Sequence, residues 1–181
     1  MKFSKLIDEE IISVTEVINE ILDSDVFSQI LSTHSLFKII DRREDIYLVE
    51  DSDSLHLSNF MTNIINQGFK VSSYKIKLGF FIRQEFKIGI ESLRFLANLC
   101  QNPVILTSRQ VQRFIYGKDI KMRLDETKIL QGKYSNGSLM LVSSYKGIPI
   151  GFAKIFLKED FIQIKNIIDI GIYLRSEKTA F

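Results

Sequence analysis

Asn136-Gly137 constrains the fold more than any other pair of residues in this chain. A tight two-residue hairpin turn needs positive φ at both central positions, which Asn and Gly tolerate and most residues do not. The dipeptide is therefore expected to join a strand over Gln131 to Ser135 to another over Ser138 to Ser144. Lys146-Gly147 supplies a second turn leading into the apolar stretch Ile148 to Leu157, and a final strand is expected within Phe161 to Ile167. Upstream, Val104 to Thr107 reads as a strand, Ser108 as a helix N-cap, Arg109 to Tyr116 as a short helix and Gly117 as its stop. Many short strands with few helices predict a small β-barrel.

The residues before this region follow a different rhythm. Ile11, Val14, Ile18 and Ile21 recur at spacings of three and four, which predicts an amphipathic helix between Asp8 and Asp23 capped by Asp8. The runs Leu36 to Asp41 and Asp45 to Glu50, separated by Arg42-Arg43-Glu44, predict a hairpin. A second helix is expected from Ser54 to Asn66, with Leu57, Phe60, Ile64 and Ile65 inward and Gly68 just past its end. From Lys75 to Arg83 the residues alternate, with Ile76, Leu78, Phe80 and Ile82 on one face and Lys75, Lys77, Gly79, Phe81 and Arg83 on the other. Phe86, Ile88 and Ile90 continue that pattern, and Glu91 to Leu99 returns to helical spacing. The fold class is α+β: an N-terminal mixed α/β domain with an antiparallel sheet over residues 1–101, then the small barrel over residues 102–181.

The junction at Asn102-Pro103 rests on the extended bias of a residue before proline and on a change of charge. Residues 1–100 hold eleven basic and fifteen acidic side chains, a net of −4, and residues 101–181 hold thirteen and seven, a net of +6. The basic part is the expected binder of a polyanion. Cys100 stands alone, so no intramolecular disulfide framework is possible and a reducing, intracellular setting is expected. No signal-peptide pattern opens the chain, and no run approaches the roughly 20 apolar residues that span a bilayer. The sequence lacks the GxxxxGK[ST] and GxGxxG phosphate-binding patterns, and its two histidines, His34 and His56, lack zinc-motif spacing. The carboxylate groups Asp8-Glu9-Glu10, Asp51/Asp53 and Glu159-Asp160 read as solvated or capping positions. No catalytic residue, metal or cofactor is expected.

Lys118, Lys121 and Arg123 follow directly after Gly117, where a backbone turn and fixed cations suit phosphate. Phe114, Tyr116, Tyr134 and Tyr145 are interleaved nearby; Phe114 reads as core, and Tyr116 and Tyr145 as aromatics able to stack on an unpaired base. Three segments then occur in order: Phe114-Ile115-Tyr116-Gly117 followed by Asp119-Ile120, then Ile148-Pro149-Ile150-Gly151-Phe152, then Asp169-Ile170-Gly171-Ile172-Tyr173-Leu174-Arg175. Together they resemble the pseudouridine synthase and archaeosine transglycosylase (PUA) domain as it occurs in the Nip-seven family of large-subunit ribosome biogenesis factors. The short interval from Gly151 to Gly171 is similar to that of archaeal members.

The resemblance implies a non-catalytic RNA-binding factor in large-subunit ribosomal RNA processing and assembly. Its partners would be pre-ribosomal RNA, in single-stranded or U/A-rich segments, together with assembly factors or a pre-ribosomal particle, and no membrane. It would work in the cytoplasm for an archaeal-type protein and in the nucleus or nucleolus for a eukaryotic one. The RNA-binding residues expected on this basis are Tyr116, Gly117, Lys118, Lys121, Arg123, Tyr145, Lys158, Lys165 and Arg175. Phe161 and Ile162 stand where archaeal members would be expected to carry charge. An RNA-modifying enzyme or its targeting subunit, and a protein-interaction adaptor using the acidic N-terminal domain, are the alternative functions.

Overall fold

The computed structural model describes residues 2–66, 75–123 and 135–177. It divides into two compact units, Met1–Ser92 and Leu93–Phe181. The expected strand over Gln131 to Ser135 lies outside the described residues except for Ser135, and so do Gly68 and Tyr134.

The first unit is built on an antiparallel sheet in sequential order, β1 (Lys2–Lys5), β2 (His34–Ile40), β3 (Glu44–Glu50), β4 (Ile76–Ile82) and β5 (Glu85–Ile88). Its helices are α1 (Asp8–Asn19), α2 (Ser24–Leu31) and α3 (Asp51–Asn66). Successive side chains of a strand point to opposite faces. Phe37, Ile39, Tyr47 and Val49 lie on one face and cluster with Met61 of α3, and Phe3 packs against them. Leu36, Ile46 and Leu48 on the opposite face are equally buried. Both faces of β2 and β3 are thus covered, which explains why these strands read as nearly continuous apolar runs.

Several local expectations shift by a residue or a face. Ile7, not Asp8, occupies the N-cap position of α1, and Glu10 reaches back to accept the Ile7 N–H at 3.1 Å. In α3, Met61 is 1 % exposed and Phe60 is 57 % exposed. Neighbouring helical positions are rotated by about 100°, so a helix that turns Met61 to the sheet turns Phe60 away. In β4 the alternation breaks: Ile46 pairs with Gly79 but Tyr47 with Lys77, leaving Leu78 as an extra residue. Such a bulge reverses the phase of everything beyond it. Phe81, expected on the outer face, is therefore buried edge-on against Phe86, while Ile82 is exposed and Phe80 lies beneath Arg43.

Burial of Tyr47, reinforced by the charges of Asp45 and Glu91, pushes its hydroxyl up to about 12. The folded state prefers the neutral phenol, so this contribution is complete below the ordinary tyrosine value near pH 10 and is lost as pH rises from there towards 12. The expected loss is roughly 2–3 kcal/mol across that window. Chemical denaturation at stepped alkaline pH checks it: Tyr47→Phe should flatten the decline, and an unchanged decline would assign it elsewhere.

The second unit holds α4 (Leu93–Ala97), α5 (Ser108–Ile115), α6 (Ile172–Glu177) and a second sheet. That sheet runs in the order β6 (Val104–Leu106), β8 (Leu139–Ser144), β9 (Pro149–Leu157), β10 (Phe161–Asp169) and β7 (Ile120–Arg123). Among its described strands, only the β6–β8 pairing is parallel. The sheet curls as a half-barrel around Val104, Leu106, Met122, Met140, Val142, Ile150, Ile155, Ile162 and Ile164, with Phe114 of α5 fully buried among them. At the Asn136-Gly137 turn, Gly137 has φ +89°, and the Asn136 side-chain oxygen accepts the Leu157 N–H at 2.9 Å.

Candidate nucleic-acid interface

The site is organised by the two ends of α5. Thr107, one residue before the expected Ser108, is the N-cap, and its N–H and hydroxyl both donate to Gln110 Oε1 at 2.9 Å. At the other end Gly117 has φ +76°, its N–H donates to Phe114 O at 2.8 Å, and the Lys118 N–H donates to Arg113 O at 3.1 Å. This pair of bonds is the Schellman closure, and its positive-φ position favours glycine. Tyr116 is left 67 % exposed beside the turn.

Asp119 ties the segment after the turn to β10, accepting from the Asn166 backbone N–H at 3.0 Å and from Gln163 Nε2 at 3.1 Å. From there β7 runs outward with strict alternation: Ile120 and Met122 enter the core, and Lys121 and Arg123 are exposed. β7 pairs with β10 so that Lys121 faces Gln163 and Arg123 faces Phe161. On the other side of β10, Gln163 faces Phe156 and Lys165 faces Lys154. The solvent face of β9, β10 and β7 therefore carries Lys154, Phe156, Phe161, Gln163, Lys165, Lys121 and Arg123. Lys121 Nζ sits 5.0 Å from the centre of the Phe161 ring, a cation–π contact that keeps the ammonium at the surface.

The expected site residues are spread over several places in the second unit. Tyr116, Gly117, Lys118 and Arg175 gather at the end of α5, and Tyr145 lies in the β8–β9 turn, its ring 5.7 Å from Lys146 Nζ. Lys121, Arg123 and Lys165 lie on the strand face, and Lys158 is exposed beyond the end of β9. Among the described residues Lys118, Lys121, Lys158 and Lys165 form no ion pair. Ile162 is a core residue at 1 % exposure, whereas Phe161 is a half-buried aromatic of the strand face.

Arg175 is placed differently from the other cations. Nη1 and Nη2 form a fork on Asp169 at 3.0 and 2.9 Å, and Nη1 also donates to the Ile115 carbonyl. Hydrogen bonding to Asp169 raises its already high pKa. Asp169 is fully buried and also accepts the Gly171 N–H at 2.8 Å and Asn166 Nδ2 at 2.9 Å. Sequence reasoning missed Lys154, Phe156 and Asn166 and read Asp119 only as part of the helix-end motif; the strand register alone reveals the first two.

Curated proteins include none that the chain matches. Among solved structures, a hypothetical protein of the hyperthermophilic archaeon Pyrococcus horikoshii OT3 is similar in fold, with a TM-score of 0.56 at 9 % identity, over 93 % of this chain and 94 % of that one. The family model described as the UPF0113 PUA domain matches residues 102–178, the span that contains α5, the half-barrel and α6. PUA domains are general RNA-binding modules, and the second unit of this chain carries one.

Proposed function

We propose that this protein is a non-catalytic RNA-binding factor acting in maturation of the large ribosomal subunit, together with other assembly factors. The observation that carries the RNA contact is the strip of Lys121, Arg123 and Lys165 around Phe161 on the open face of the PUA half-barrel. Cations hold phosphates without regard to sequence, while an exposed ring or backbone group reads an unpaired base. The ribosomal assignment is supported by the ordered resemblance to the Nip-seven family. A cytoplasmic setting of archaeal type belongs to the same proposal.

Phosphate binding releases counterions, so affinity for single-stranded RNA should fall with salt at a logarithmic slope of about −0.7 per phosphate neutralised. Lys121→Glu combined with Lys165→Glu is expected to weaken binding at least tenfold and to make the slope shallower by about 1.4. Titrations of a labelled large-subunit ribosomal RNA fragment at several salt concentrations measure both; an unchanged slope would remove the strand face from the interface. Crosslinking followed by sequencing tests the RNA class, and reads scattered over messenger RNA would reject the ribosomal role. Mass spectrometry of nucleosides from ribosomal and transfer RNA tests the absence of catalysis, which a protein-dependent modified nucleoside would overturn.

A further inference from the structure

The last carbonyls of a helix point beyond its own hydrogen-bond ladder and need partners from elsewhere. At the end of α5 they find them in side chains far along the chain. Phe114 O accepts Asn166 Nδ2 at 2.7 Å, and Ile115 O accepts Arg175 Nη1. Both donors also bind one carboxylate, that of Asp169, which is 0 % exposed. The network reaches the turn itself, because guanidinium atoms of Arg175 lie 3.3 to 3.5 Å from where a Cβ would stand at Gly117.

A solitary arginine beside a polar turn is a good phosphate ligand, but the Arg175 guanidinium uses three of its five N–H donors inside the fold, two of them in a fork on a buried carboxylate that neutralises its charge. We infer that Arg175 and Asp169 are positioning residues: they hold the Gly117 turn in the shape that presents Lys118 and sets the course of β7, and Arg175 is not itself a phosphate contact. This rests on the RNA-binding reading above. Positioning and contact make opposite predictions for one variant. Asp169→Asn keeps the side-chain shape, weakens the fork and frees the Arg175 charge; a contact role gives equal or tighter RNA binding, a positioning role gives weaker binding.

The experiment compares Asp169→Asn, Arg175→Ala and the double variant in the full chain, using a labelled single-stranded ribosomal RNA fragment across a salt series. The expected result is weakening of about tenfold in each, an unchanged salt slope, and a double variant no weaker than either single one, because both changes release the same element. Asp169→Asn binding as tightly as the parent overturns the inference, and so does an Arg175→Ala slope shallower by about 0.7. Amide hydrogen exchange in the same samples guards against general loss of structure: Gly117 and Lys118 should exchange at least tenfold faster while Val142 and Ile155 keep their protection. Unchanged exchange at Gly117 also overturns it. If the parent protein shows no salt-dependent RNA binding, the proposed function fails, and the exchange experiment still decides whether the network positions the turn.

Discussion

Asp169→Ala is expected to destabilise the second unit by about 3 kcal/mol, the upper end of the cost of leaving a buried donor unsatisfied. The carboxylate serves four donors at once: two Arg175 nitrogens, the Gly171 N–H and Asn166 Nδ2. Arg175 is 37 % exposed along its side chain and regains hydration when released. The Gly171 N–H lies in a buried residue and cannot, so it carries its full desolvation cost. Arg175→Ala should also cost several kcal/mol, because it leaves the fully buried Asp169 carboxylate without its cation and served only by the Gly171 N–H and Asn166 Nδ2. Urea denaturation followed by signals from the second unit measures both; a loss of about 1 kcal/mol for Arg175→Ala would mean that the two neutral donors alone are enough to hold the buried carboxylate.

Gly79→Ala should be comparably damaging to the first unit, at about 3–4 kcal/mol. Gly79 sits at the β4 bulge, and a Cβ there would run into the backbone carbonyl of Lys87 and come within 2.9 Å of the Phe86 ring. A backbone oxygen in a paired strand cannot swing aside as a flexible side-chain end can. The hairpin of β4 and β5 must therefore open, taking the Phe81–Phe86 contact with it. Ile82→Ala, three residues away on the exposed face, should change stability by less than about 0.5 kcal/mol. Thermal melts of the two variants provide the comparison, and a small effect at Gly79 would show that the bulge shifts at little cost.

The parts of the fold that were legible in the sequence are those governed by neighbours along the chain. Ile11, Val14 and Ile18 announce α1, the two apolar runs around Arg42-Arg43 announce a hairpin, and Asn136-Gly137 announces a turn, although only Gly137 takes the positive φ expected at both positions. The parts that were not legible depend on residues far away. β1 is a four-residue strand, Lys2–Lys5, whose extended state comes from pairing with β2. Ile120–Arg123 is too short to signal a strand and becomes one against β10. The β4 bulge is invisible to period counting because alternation looks perfect across it until the partner strand fixes the register.

The site divides along the same line. Gly117 and its cations are visible as a local turn with a local charge cluster. The strand-face group needs the β7–β10–β9 register to bring Lys121, Phe161 and Lys165 side by side. Arg175 shows the limit most clearly: as a residue type it suggests phosphate, and only the fold reveals the carboxylate to which it is bound.

The closure at the end of α5 spans a wide interval of sequence, since the Arg175 donor lies 60 positions beyond the Ile115 carbonyl it meets. Contacts between such distant residues must bear a loop-closure cost before they return any stabilisation, so they tend to form late in folding. The half-barrel hairpins can pair first, with α5 already helical and its far end still frayed. The glycine turn then locks only when the segment after β10 docks, making recognition competence one of the last properties this unit acquires as it folds.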